Sequence, residues 1–156
     1  LEWYNILMLR QNKTAQREFE ISDRLEAGIV LTGAEVKSVK KRGINFEGSY
    51  IKIVGNDALL INAMIEIYDF SRPETYDARR SRKLLLHKKE INRIRGKIAQ
   101  GGNLTIVPLS TYVKKGFVKL EVGIGKGRKT WEIKKIEQGK DEKRRVEKEM
   151  KDYIKT

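Results

Sequence analysis

Between Phe117 and Ile124 the chain alternates strictly, with Val118, Leu120, Val122 and Ile124 on one side and Phe117, Lys119 and Glu121 on the other. Successive side chains of a strand point to opposite faces, so this run predicts a strand with one dry and one wet face. A weaker version of the same period sets Phe19 and Ile21 among Glu18, Glu20 and Ser22. Residues 27–31, 49–54, 58–65 and 104–109 also read as strands. Gly55-Asn56-Asp57 and Lys115-Gly116 are hairpin turn signals, the second joining 112–114 to 117–124. A chain of 156 residues built this way has room for one β domain plus extensions.

Two helices interrupt the strands. Thr32 followed by Glu35 has the spacing of a capping box, in which each side chain satisfies the other residue's free backbone N–H. With Val36 and Val39 on one face and Gly43 as terminator, this predicts a helix over residues 33–42. Ile91, Ile94 and Ile98 predict a second, amphipathic helix ended by Gly101-Gly102. Residues 68–82 have no period, contain Pro73 and end in a basic cluster; a loop of that length is usually functional or disordered.

The main helix falls between the third and fourth main strands. That order is expected of a mostly β protein with flanking helices, an OB-fold-like Greek-key barrel with the capped helix inserted before the hairpin. We divide the chain into an extension (1–11), the barrel (12–130) and a flexible basic C-terminal tail (131–156). Glycines 123, 125 and 127 lack P-loop spacing and read as a flexible exit from the barrel. Past Lys140 only Val146, Met150, Tyr153 and Ile154 form an apolar stripe, while Asp141/Arg145 and Glu147/Lys151 are i, i+4 pairs. This tail is expected to be disordered or partly helical when free and to fold on a partner. The apolar stretch Trp3-Tyr4-Asn5-Ile6-Leu7-Met8-Leu9 is too short for a membrane span, and Met8 is a candidate natural start.

Charge narrows the function. Lys and Arg number 34 against 21 Asp and Glu, a net +13 that calls for a polyanion, nucleic acid before anionic membrane. With no Cys and one His, disulfides, thiolate or multi-histidine metal sites, a cysteine nucleophile and iron–sulfur clusters are excluded. No metal, cofactor or catalytic residue is expected, the location is expected to be cytoplasmic, and no membrane partner is expected. Between Arg79 and Lys97 stand nine Lys or Arg and one acid, Glu90. A solvated helix face would explain some of them, but a phosphate-tracking surface explains the excess. Tyr76, Tyr112 and Phe117 are candidates for stacking on unpaired bases or for simple barrel caps. His87 reads as a helix-end residue. Glu35 is explained by its capping box, whereas Glu26 has no local explanation.

Taken together, Glu26-Ala-Gly-Ile-Val-Leu, Gly33-Ala-Glu-Val-Lys-Ser38, Ser49-Tyr50, Arg82-Lys-Leu-Leu-Leu-His87-Lys88 and Lys126-Gly-Arg-Lys129 closely resemble the SmpB family. These small proteins partner transfer-messenger RNA (tmRNA). The resemblance runs from about Asn12 to Lys129. It implies an OB-type barrel that binds the tRNA-like domain of tmRNA and delivers it to stalled ribosomes for rescue, with elongation factor Tu on the alanyl-tmRNA, and that catalyses nothing. Glu26, Leu85 and Lys119 match family residues important for RNA binding. The matching motifs and basic clusters add Glu35, Lys37, Arg79, Arg80, Arg82, Lys83, His87, Lys88, Lys126, Arg128 and Lys129 as RNA-binding candidates.

The resemblance further implies that the tail becomes helical in the empty mRNA path of the small subunit. Trp131, Glu132, Lys134 and Lys135 are the candidates for contacts with small-subunit rRNA at the decoding centre. The chain departs from the family where Asp-Lys-Arg is replaced by Glu132-Ile133-Lys134, where Asp77-Ala78 lacks a proline, and where Asn12-Lys13-Thr14-Ala15-Gln16 is less basic. Two other classes remain to be separated by experiment: a nonspecific single-strand binder or structural ribosomal protein, and a nuclease, for which no carboxylate spacing argues.

Overall fold

The computed structural model describes residues 6–69 and 73–155. Its elements in order are β1 (Ile6–Gln11), α1 (Lys13–Glu18), β2 (Phe19–Ile29), α2 (Gly33–Arg42), β3 (Tyr50–Val54), β4 (Asp57–Ile61), β5 (Arg82–Leu85), α3 (Lys88–Ala99), β6 (Leu104–Lys114), β7 (Phe117–Gly127) and α4 (Thr130–Lys155). The strands form one antiparallel sheet in the order β1-β6-β7-β2-β5-β4-β3. The sheet is curled. Ile51 and Ile53 of the last strand line a groove with Leu104 and Ile106 of β6, and Ile98 of α3 stands in the gap.

The alternation in β7 is realised. Val118, Leu120, Val122 and Ile124 enter the core with Ala27, Leu60, Leu84, Ile94 and Val39, while Phe117, Lys119 and Glu121 take the outer face. A smaller cluster of Ala15, Val107 and Leu109 lies beneath α1, with Phe19 and Ile21 against it. Helix α2 has the expected bounds, and its capping box is formed by Thr32 and Glu35. Among the described residues no helix is long and apolar enough to cross a membrane.

Several expectations change. Residues 6–11 pair with β6, Leu7 opposite Val113 and Met8 opposite Tyr112, so the region read as an extension supplies an edge strand. Trp3, Tyr4 and Asn5 lie outside the described residues. The strand expected over 58–65 stops at Ile61 because Asn62 takes a left-handed φ of 61°, and Met64 then bridges Asn45.

Glycines 123 and 125 are not a flexible exit but buried members of β7. A Cβ on Gly125 would stand 2.5 Å from the Glu20 carbonyl oxygen, and one on Gly123 would stand 2.7 Å from Leu109 Cδ1. Close approach of β2 and β6, not freedom, requires glycine there. The tail is one 26-residue helix with no buried residue. It carries nine basic and seven acidic side chains, so most of the chain's positive surplus lies ahead of it.

Candidate nucleic-acid interface

β2 lies between β5 and β7, and Gly28 stands opposite both Leu85 and Lys119. A Cβ at Gly28 would be 3.1 Å from Leu85 Cβ, so its absence leaves room for the leucine against the strand. Three successive leucines cannot share one face of a strand. Leu84 is 2% exposed in the core, and Leu85 is 56% exposed on the outer face. A shallow cavity of about 430 Å³ is lined by Gly28, Lys83, Leu85, His87 and Lys119. A single exposed leucine needs no explanation by itself. One ringed by Lys83, His87 and Lys119 presents an apolar contact inside a cationic rim, which suits a ribose or base flanked by phosphates.

Glu26 is two residues along β2 on the same outer face. The Tyr112 hydroxyl donates to its Oε2, and Lys114 Nζ lies 3.5 Å from the same oxygen. The Tyr112 hydrogen bond, with Lys114 and Lys119 nearby, holds the Glu26 carboxyl below its ordinary range despite partial burial. Burial first, and then the Glu26 bond, push the Tyr112 phenol up. The carboxylate is thus oriented and ionised. Its Oε1 has no partner among the described residues and can accept from a ribose hydroxyl or base N–H. Phe117 shares this face and is 70% exposed. Tyr112 is buried, and Tyr76 donates its hydroxyl to the Ile65 carbonyl, so Phe117 is the exposed stacking candidate of the three.

Other predicted residues are occupied internally. Glu35 and Arg82 are fully buried. Arg82 Nε donates to Glu35 Oε2 at 2.7 Å, while its Nη1 reaches the Ala63 and Arg80 carbonyls, each at 2.9 Å. Arg80 donates to Glu35 Oε1 at 2.5 Å. Burial raises the Glu35 pKa, but the Thr32 N–H and the guanidinium groups of Arg82 and Arg80 outweigh it and keep the carboxyl below its ordinary value. Glu35 and Arg82 therefore offer a ligand no surface; they fix the segment that carries Arg79 and Arg80. Arg79 reaches the Asn62 carbonyl at 3.2 Å, and Lys37 lies over the Tyr68 ring.

The basic density between Arg79 and Lys97 is also partly neutralised by acids from distant elements. Lys83 meets Asp57 at 3.1 Å, and Arg93 and Lys97 both meet Asp23. His87 precedes α3, and its backbone N–H donates to Glu90. Lys88 and Lys89 occupy the first turn of α3, where the helix dipole disfavours cations. Folding does not ask for them there.

Lys126, Arg128 and Lys129 lie elsewhere. Lys126 lies seven residue steps along β7 from Lys119, about 24 Å at strand rise. Arg128 is tied to α1 by its N–H to the Glu18 carbonyl at 2.7 Å. Trp131, 62% exposed, and Glu132, Lys134 and Lys135 follow on the first turns of α4, which Glu137 fastens to Arg17 at 3.3 Å. The structure thus brings together Glu26, Lys83, Leu85, His87 and Lys119, and sets the β7–α4 group apart. Gly28 and Lys114 were missed by sequence reasoning. A glycine inside a strand was the available signal for the first. Among the described residues no group of three or more His, Asp or Glu could hold a metal ion.

Comparison with known proteins places these features in a family context. The family profile described as SmpB protein matches residues 9–152. An SsrA-binding protein of Lactobacillus acidophilus is 41% identical over 139 residues, 89% of this chain and 91% of the relative. One from Exiguobacterium is 42% identical over 144 residues, covering 92% of each chain. One from Chlamydia caviae is 40% identical over 142 residues, 91% and 94%. A chain in a solved structure described as "tmRNA-SmpB: a journey to the center of the bacterial ribosome" superposes with a TM-score of 0.64 at 38% identity, over 78% of this chain and 85% of that one.

Proposed function

Since this chain belongs to the SmpB protein family, we propose that it binds the tRNA-like domain of tmRNA and delivers it to stalled ribosomes for rescue by trans-translation. The observation that carries this reading is the convergence of Glu26, Leu85 and Lys119, from three neighbouring strands, on one outer face around Gly28. Lys119 and Lys83 offset phosphate charge, Leu85 packs on sugar or base, and the oriented Glu26 carboxylate accepts from a hydroxyl or amino group.

In this reading the curled sheet is an OB-like Greek-key barrel, and residues 12–130 carry tmRNA recognition. Arg79, Arg80 and Lys88 extend the cationic rim, while Lys126, Arg128 and Lys129 lead toward the ribosome. Residues 131–156 enter the small subunit, where Trp131, Glu132, Lys134 and Lys135 meet rRNA at the decoding centre. Elongation factor Tu joins through the alanyl-tmRNA. The chain acts in the cytoplasm, as a binding module and not as an enzyme.

The experiment is competition. The full chain is bound to labelled tRNA-like domain and challenged with bulk tRNA, poly-U and unlabelled domain at moderate salt. Displacement by the domain alone supports the reading. Equal displacement by poly-U would make the protein a nonspecific single-strand binder instead.

A further inference from the structure

On the outer face of the sheet, Glu26 of β2 and Glu121 of β7 stand directly opposite each other. Like charges in that register destabilise a sheet unless each finds a partner. The two carboxylates are answered differently. Glu121 is used up within the protein: its Oε1 accepts from Arg24 at 2.7 Å, and its Oε2 accepts from the buried Ser110 hydroxyl at 3.0 Å. Glu26 is engaged at one oxygen. The Tyr112 hydroxyl and Lys114 Nζ both meet its Oε2, which leaves Oε1 for a ligand.

Tyr112 is 9% exposed. Packing of that ring would be served equally by phenylalanine. Its hydroxyl carries a desolvation penalty, which the bond to Glu26 offsets. The same bond is the foremost cause of the low Glu26 pKa, ahead of Lys114 and Lys119. A side chain that hardly reaches solvent thus sets the charge and the orientation of one that does.

The surroundings select the ligand group. A carboxylate repels phosphate, so among Lys83, Lys114 and Lys119 it marks a place between phosphates, where a ribose lies. Lys119 stands opposite Gly28, two residues along β2 from Glu26 on the same face, and Gly28 has no side chain to fill the space between them. Diagonal neighbours of that kind are within reach of long side chains. A ribose 2′-hydroxyl both donates and accepts, so it can donate to Glu26 Oε1 while its oxygen accepts from Lys119. The three donors of that ammonium also allow it to hold the flanking phosphate. A base amino group only donates and would leave Lys119 unmatched. Base N–H groups of a folded RNA are also largely spent in pairing, whereas 2′-hydroxyls line the shallow minor groove of its helices.

We propose, on the assignment of this face to the tRNA-like domain, that Tyr112 is a positioning residue and that the carboxylate it fixes reads a ribose 2′-hydroxyl. Tyr112 itself touches no RNA. It acts through Glu26, and the pair makes this face selective for RNA over DNA.

The test measures binding of the full chain to the tRNA-like domain and to a set of domains that each carry one 2′-deoxyribose. Tyr112→Phe, which keeps the ring, should weaken binding of the unmodified domain about fivefold, and Glu26→Ala about tenfold. In the Glu26→Ala background Tyr112→Phe should cost nothing further, whereas a hydroxyl that only steadied the strand would cost the same in both. At one position the 2′-deoxy change should cost the unsubstituted protein about tenfold and Glu26→Ala almost nothing. Additive losses from the two substitutions overturn the positioning role. Deoxy penalties that all survive Glu26→Ala overturn the hydroxyl assignment and leave a base donor as the group read. If either happens while Lys119→Ala still weakens domain binding and poly-U still fails to compete, only this proposal falls. If poly-U competes equally, the assignment of the face falls with it.

Discussion

Arg82 and Glu35, 47 residues apart in sequence, form an ion pair from which solvent is excluded. Through it β5 is bolted to the first turn of α2, and the remaining guanidinium bonds hold the carbonyls of Ala63, Ala78 and Arg80. A buried pair is not by itself evidence of net stabilisation, but removing one partner strands the other charge. Arg82→Ala should lower unfolding free energy by about 3–5 kcal/mol. Arg82→Lys should rescue little, because an ammonium cannot reproduce the planar array of donors. Denaturant titration checks both. A loss below about 1 kcal/mol would mean that the pair does not hold this corner of the fold.

Leu85 makes the opposite case. It is more than half exposed, so its truncation surrenders little burial. Leu85→Ala should leave the denaturation midpoint within experimental scatter and weaken tRNA-like-domain binding about tenfold. Lys119→Ala should weaken it too and flatten the log–log salt dependence by about one unit, the signature of one lost phosphate contact. A Leu85 variant that binds normally would remove the apolar centre from the interface.

Acid should weaken the fold in a definite window. Asp23 is held low first by the Lys97 hydrogen bond, Glu26 by Tyr112, and Glu35 by Thr32, Arg82 and Arg80 against the effect of burial. Each folded-state pKa lies below its ordinary value, 3.8 for Asp23 and 4.5 for the two glutamates. Their stabilising contributions are therefore complete above about pH 4.5 and are lost as pH falls through the depressed values. Glu35→Gln should make this loss shallower, alongside an overall drop in stability. Chemical denaturation repeated from about pH 6 down to about pH 3 measures the slope. An unchanged slope in Glu35→Gln would assign the acid sensitivity to other groups.

What could be read from the chain alone was what local rules govern. The capping box of Thr32 and Glu35 and the alternation from Phe117 to Ile124 are written within a few residues, and both appear as expected. Leu85 could be narrowed to one of three leucines because a strand can bury only alternate positions. Pairings across the sequence could not be read. The acids that neutralise Arg82, Lys83, Arg93 and Lys97 come from α2, β4 and β2, so a segment with one acid of its own looked far more exposed in charge than it is. Glu26 had no local explanation because its partners, Tyr112 and Lys114, lie on β6.

The glycines of β7 yield a sharp discrimination. If they served flexibility, alanine at any of the three would be tolerated. A Cβ on Gly125 would instead meet the Glu20 carbonyl oxygen, which is backbone and cannot swing away, whereas one on Gly127 would find only Phe19 Cε1 at 3.9 Å. Gly125→Ala should destabilise by about 1–3 kcal/mol, and Gly127→Ala by much less. Thermal unfolding of the two variants decides. Equal tolerance would return this stretch to the role of a hinge.

The last helix separates recognition from its outcome. α4 buries no residue, and the half-exposed Arg17–Glu137 pair ties it to the body. Exposed ion pairs contribute about 1 kcal/mol or less, so the sheet is expected to fold without the helix. The platform at Glu26, Leu85 and Lys119 lies near the other end of β7. Truncation after Lys129 should therefore leave the melting midpoint and the tRNA-like-domain affinity nearly unchanged while abolishing tagging on stalled ribosomes. The exposed stripe of Val146, Met150, Tyr153 and Ile154 gives the reason, since a helix keeps such a face in water only if a partner covers it elsewhere. Replacing Val146 and Met150 by serine should reproduce the truncation's loss of tagging with tRNA-like-domain binding intact. If truncation instead destroyed RNA binding, recognition would reside in the tail, and the platform would have to be given up as the site.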